Sequence, residues 1–133
     1  MQSKLSGLLN GELTIIRIIF YAGFTFIFGY AALFKVFEWP PMMTGMEGFG
    51  FSRTWTLIIG YAELAGFIGL LVGLRYPLVL IGSVVWLIPF SIGAFTAHMA
   101  RSEYQHFYNA LFCCIASVVL LITDRRLKIV YQP

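Results

Sequence analysis

Apolar residues fill this chain in four long blocks, 13–37, 56–74, 77–98 and 107–123, separated by short polar stretches. At about 1.5 Å of rise per residue, helices of this length cross the roughly 30 Å hydrocarbon core of a bilayer. The second and third blocks are joined only through Arg75, Tyr76 and Pro77. So short a link forces an antiparallel hairpin, and Pro77 suits the first turn of a helix, where its missing N–H costs nothing. The first connection carries its own period. Pro40 and Pro41 stop the first helix, Met42, Met43, Met46 and Phe49 recur at helical spacing, and Gly48 and Gly50 close the segment. This predicts a short amphipathic piece at the membrane interface. The third connection, 99–106, is polar. With no repeat or linker in view, the expectation is one all-α domain: an integral membrane four-helix bundle with a short interfacial segment between helices 1 and 2.

Composition points the same way. Of 133 residues 59% are hydrophobic and 11% charged, and the mean hydropathy is +0.83. A water-soluble domain carries roughly 25% charged residues to cover its surface, so lipid must be the solvent for most of these side chains. The formal charge of +3 is small and scattered, which argues against nucleic acid as a partner. The first block is longer than the 7–15 residues of a signal-peptide core and reads as a retained span. Lys4, Arg75, Arg125, Arg126 and Lys128 fall on the side of the termini, against Lys35, Arg53 and Arg101 on the other. That bias places both termini in the cytoplasm.

Charges inside apolar blocks carry the functional information, since each costs several kcal/mol unless paired or hydrated. Glu63 lies seven residues into the second block, too deep to reach water, and needs a cation, a proton or a polar cavity. Arg17 and Lys35 are 18 residues apart on the first block, five helical turns, and so share a face with Tyr21. Lys35 lies near the same membrane boundary as Glu63, which makes it the easier partner; Arg17 would reach inward or snorkel. Glu63, Arg17, Lys35 and Tyr21 are the candidate polar centre, to be weighed against an ion pair that only fixes the bundle.

Other features are quieter. Gly60, Gly66, Gly69 and Gly73 line the second block with small residues that let helices approach closely, and Pro89 interrupts the third. Asn109 and Ser117 suit interhelical hydrogen bonds. Cys113 and Cys114 are adjacent in an apolar run without a C-x-x-C pattern and are expected to pack rather than cycle. His98, Glu103 and His106 surround the third connection, and Glu103-x-x-His106 has the spacing of di-iron helices. The second carboxylate–histidine pair of such a site is missing, so no metal is expected, and these three are the only candidates for one.

Arg17, Gly29 and Lys35 at the end of the first block, Gly48-Phe49-Gly50-Phe51, then Glu63 with Gly66 and Leu70-Leu71-x-Gly73-Leu74, and His106-Phe107-Tyr108-Asn109-Ala110-Leu111 in the last block occur in an order that resembles the DoxX-like membrane protein family. The resemblance covers roughly 14–121. It implies a four-helix membrane bundle tied to redox systems. No flavin motif, haem-ligand pair or redox cysteine pair is present, and no self-contained catalytic motif. The expectation is an accessory or quinone-interacting subunit of a membrane redox assembly, without a cofactor of its own, working with partner membrane subunits or as a homo-oligomer. The alternatives are a binding protein or carrier for a small lipophilic molecule, and a purely structural subunit.

Overall fold

The computed structural model describes residues 2–100 and 108–123, with side chains from residue 14 onward. Across these residues it has five helices and no strand: α1 (Gln2–Val36), α2 (Pro40–Gly48), α3 (Arg53–Val72), α4 (Pro77–Ala100) and α5 (Tyr108–Ile122). Three are long and apolar enough to cross a membrane: Thr14–Val36 within α1, then α3 and α4. α5 is apolar but has 15 residues, about 22 Å by helical rise. Ile18, Phe26, Leu78, Trp86 and Ile122 are exposed on the outside, while Thr56, Ser83, Ser91 and Ser117 are buried. This inversion of the soluble pattern fits a protein whose solvent is lipid. The buried hydroxyls bond backbone carbonyls of their own helices, as Ser83 does to Val79 (2.7 Å) and Ser91 to Leu87 (3.2 Å). Ser117 does the same, donating to Cys114, so its expected interhelical bond is not made.

Each of the four long helices packs against two others in the closed ring α1–α3–α4–α5. Side-chain contacts fix the directions. Tyr21 in the first half of the apolar span of α1 meets Leu70 near the end of α3, whereas Lys35 at the end of α1 meets Glu63. Tyr30 meets Asn109 at the start of α5 and Arg17 meets Thr123 just past its end. Neighbours therefore run antiparallel. Phe24, Phe28, Leu70, Val84, Leu87, Cys113, Ala116 and Leu120 form the core between them.

The glycines of α3 divide between two neighbours. Gly66, Gly69 and Gly73 face α4: a methyl group there would press on Leu87, on Ser83 and, at 2.7 Å, on the Cα of Leu80. Backbone contact that close is available only to glycine, and it brings the α3–α4 hairpin together directly after its turn. Gly60 faces α1 instead. α4 continues through Pro89 as one helix.

α2 occupies the interfacial position between α1 and α3. Met46 is buried, Met42, Met43 and Phe49 are half-buried, and Thr44, Gly45 and Glu47 are exposed, so the methionine face turns to the bundle. The chain enters α2 through Glu38 at φ 56° and leaves through Gly50 at φ 92°, two left-handed residues that reverse its course. Glu38 and Arg53, at the two feet of this excursion, form an exposed ion pair. The Arg53 guanidinium holds the Glu38 carboxyl below the usual carboxylate range. The pair's contribution is complete above that usual range and is lost as pH falls through the lowered value. Hydrogen exchange of α2 amides, followed at fixed temperature from neutral to acid pH and corrected for intrinsic rates, should show protection constant to below the ordinary carboxylate pKa and falling under it. Arg53→Gln, which removes the pair, should lower protection at neutral pH and abolish that fall; an unchanged profile would mean the pair does not hold α2.

Candidate functional site

Glu63 is the eleventh of the 20 residues of α3, about 15 Å from its start. The helix begins three residues earlier than the sequence pattern indicates, so the carboxylate is deeper than expected. It is 4% exposed and Lys35 7%. Lys35 Nζ lies 3.0 Å from Oε1 and 3.3 Å from Oε2, so one ammonium engages both oxygens. In low dielectric an unpartnered carboxylate at this depth is strongly penalised, and the pair removes most of that penalty.

Gly60, one turn before Glu63, makes the pair possible. A Cβ there would sit 2.7 Å from Lys35 Cβ and 3.4 Å from the Val36 backbone nitrogen. Its absence lets the end of α1 rest on α3, and Lys35 then reaches along the helix to Glu63. The sequence grouped Glu63, Lys35, Arg17 and Tyr21; the structure brings together only the first two. Arg17 is about 27 Å from Lys35 along α1 by helical rise and donates from Nη1 to the Thr123 carbonyl (2.9 Å), at the C-terminal end of α5 where a cation suits the helix dipole. Tyr21 donates to the Leu70 carbonyl (2.6 Å). Both tie helices together at the far end of the bundle.

Beside Glu63 is a partly open cavity of about 280 Å³, lined by α1, α4 and α5 with Glu63 as the contribution of α3. Phe28, Phe90, Ala94, Ala110 and Cys113 give it an apolar lining, and Tyr30, Ser91, His98 and Asn109 add polar groups. Asn109 Nδ2 donates to the Tyr30 hydroxyl (2.8 Å), the interhelical bond expected of Asn109. His98 meets the ring of Phe49 edge-on, centroids 5.2 Å apart, which sets the end of α2 against a cavity wall. Cys113 and Cys114 are free thiols; the first packs in the core. Among the described residues no group of three or more His, Cys, Asp or Glu could hold a metal ion; Glu103 and His106 lie outside those residues. His98, a metal candidate in the sequence, lines the cavity instead.

Tyr30, Phe90 and Ser91 escaped sequence reasoning. Pro89 was the available signal, because a proline in a membrane helix commonly borders a cavity and its two successors line this one.

The model of the DoxX-like family matches residues 19–120, over three quarters of the chain, including every cavity-lining residue named above. No curated protein and no solved structure matches the chain.

Lys35→Met alone should strand a buried carboxylate and cost about 3–5 kcal/mol, seen as a lower unfolding temperature in detergent and reduced accumulation. Adding Glu63→Gln should restore most of that loss. Gly60→Ala should also destabilise, while Gly82→Ala, where a methyl group meets nothing within 4 Å, should gain about 0.5–1 kcal/mol. Equal effects at the two glycines would contradict the close α1–α3 approach.

Proposed function

The chain belongs to the DoxX-like family of membrane proteins, and we propose that it binds a small lipophilic molecule with a polar head in the cavity beside Glu63. One observation carries this reading: a charge deep in the bundle is paired with Lys35, and the residue that bears it also lines a mostly apolar cavity. A pair that served only to fix the helices would need no space next to it. Apolar walls with a few convergent polar groups are the usual form of a small-molecule site. A ring of the quinone–hydroquinone type fits these walls, with its ring against Phe28 and Phe90 and its oxygens within reach of the polar lining. Work as a cofactor-free, quinone-interacting subunit of a membrane redox assembly is the further step of the same proposal, and it rests on the family resemblance.

For the setting, the Lys/Arg asymmetry supports cytoplasmic termini, and the family resemblance supports the bacterial inner membrane. The cavity and α2 are then in the outer half of the bundle, since they lie at the end of α1 and the start of α5.

Protein purified from native membranes and extracted with organic solvent should release a near-stoichiometric lipophile. Ala94→Trp, which fills the cavity wall, should release far less at equal protein level; equal recovery would sink the reading. Partner proteins found with the tagged chain by mass spectrometry, carrying haem or flavin absorbance, test the redox assembly. For orientation, Glu47→Cys on the exposed side of α2, with Cys113 and Cys114 replaced by alanine, should react with an impermeant maleimide in intact spheroplasts. Reaction only after permeabilisation would reverse the topology.

A further inference from the structure

The polar lining of the cavity sets an acceptor, Glu63, near a donor, Tyr30, with Asn109 and His98, which can do both, beside them. Glu63 is acceptor-only when ionised, and its two oxygens share a single ammonium at 3.0 and 3.3 Å, so lone pairs remain unused. Glu63 is among the lining residues and Lys35 is not, so the acceptor of the pair is the member nearer a ligand. The Tyr30 hydroxyl accepts from Asn109 Nδ2 at 2.8 Å, which leaves its own proton to donate. Ser91 has already committed its proton to the Leu87 carbonyl.

A head group that fits this lining must give a proton to a hydrogen bond at Glu63 and can receive one from Tyr30. An anionic head would face a carboxylate. A head with acceptors only, such as a ketone or an ether, would leave the buried carboxylate facing it without a donor, and a site built to bond a hydroxyl rejects the analogue that lacks it. A hydroxyl against an ionised carboxylate makes a charge-assisted bond, stronger than a neutral one. About 280 Å³ lies just below the usual range of ligand pockets, roughly 300 to 1,000 Å³, and holds one ring, with any tail leaving through the open side.

Resting on the binding reading above, we propose that the cavity selects an uncharged ring compound bearing a hydroxyl, a phenol or hydroquinone-type head, with that hydroxyl donating to Glu63 and Tyr30 donating to an oxygen of the same head. The site therefore prefers the hydroxyl-bearing form of such a molecule over its carbonyl or ether form.

Two probes of matched ring and tail test this on the full chain in detergent: 4-propylphenol and its methyl ether, 4-propylanisole. Affinities are read from the rise in unfolding temperature with free probe concentration, after micelle partition is measured separately. The phenol should bind about tenfold or more tightly than the ether. Glu63→Gln paired with Lys35→Met, which keeps the bundle uncharged at this point, should collapse that ratio. Tyr30→Phe should weaken both probes and leave the ratio standing. Equal affinities for the two probes in the wild type, or a ratio unchanged in the paired variant, would overturn the head-group assignment while the cavity still binds. Binding of neither probe, or equal binding by Ala94→Trp, would overturn the cavity reading together with it.

Discussion

A carboxylate halfway along a membrane helix is the constraint around which this bundle is arranged. Glu63 cannot reach the interface from the middle of α3, so a cation has to come to it, and the one that does stands at the last turn of α1. That requirement fixes how far α1 extends alongside α3 and how closely the two approach. Gly60 supplies the closeness, and the chain must then turn sharply at Glu38 to clear the contact. α2 is the length of chain needed to return to the top of α3. The position of the small helix and its contact with His98 thus follow from where one ion pair has to form.

The two ends of the bundle differ as a result. At the end holding the start of α1, Arg17 and Tyr21 donate to backbone carbonyls at the ends of α5 and α3, and Phe24, Leu70 and Leu120 fill the space between. At the other end the polar groups are turned toward one another and toward a cavity, with the Tyr30–Asn109 bond linking α1 to α5. Among the described residues, the long-range ties of Arg17 and Tyr21 at the first end run to main chain; at the second, Lys35–Glu63 and Tyr30–Asn109 run side chain to side chain, beside the Trp86 bond to the Ala62 carbonyl. Main-chain ties constrain helix position and little else. Side-chain pairs can exchange partners with a bound molecule without unwinding a helix.

Much of this was legible in the sequence because it follows from local cost. Apolar runs announce the long helices, methionine spacing announces α2, and the expense of a lone carboxylate in lipid points to Glu63 and then to the nearest cation, Lys35. The grouping of Arg17 and Tyr21 with them shows where such reasoning stops. Eighteen residues return a helix to the same face, yet carry it almost the full thickness of the membrane, so periodicity gave the side and depth decided the partner. Tyr30, Phe90 and Ser91 were illegible for a different reason. Each is unremarkable on its own helix, and only the rotation of α1, α4 and α5 about their axes, set by side-chain packing, brings them to one cavity. Ser117 looked like an interhelical donor and bonds its own helix, a choice that no residue pattern encodes.

The order of the two charges along the chain bears on how the protein enters the bilayer. Lysine is the first of the pair to emerge during synthesis, and from the last turn of α1 its long side chain can extend to the headgroups while it has no partner. Glutamate arrives later, on a helix whose tight turn into α4 sends both through the membrane as a hairpin. The ion able to wait at the interface therefore precedes the one that cannot, and the carboxylate crosses beside a cation already in place. Reversing the charges, Lys35→Glu with Glu63→Lys, would preserve the pair in the finished bundle and remove that sequence of events from its assembly.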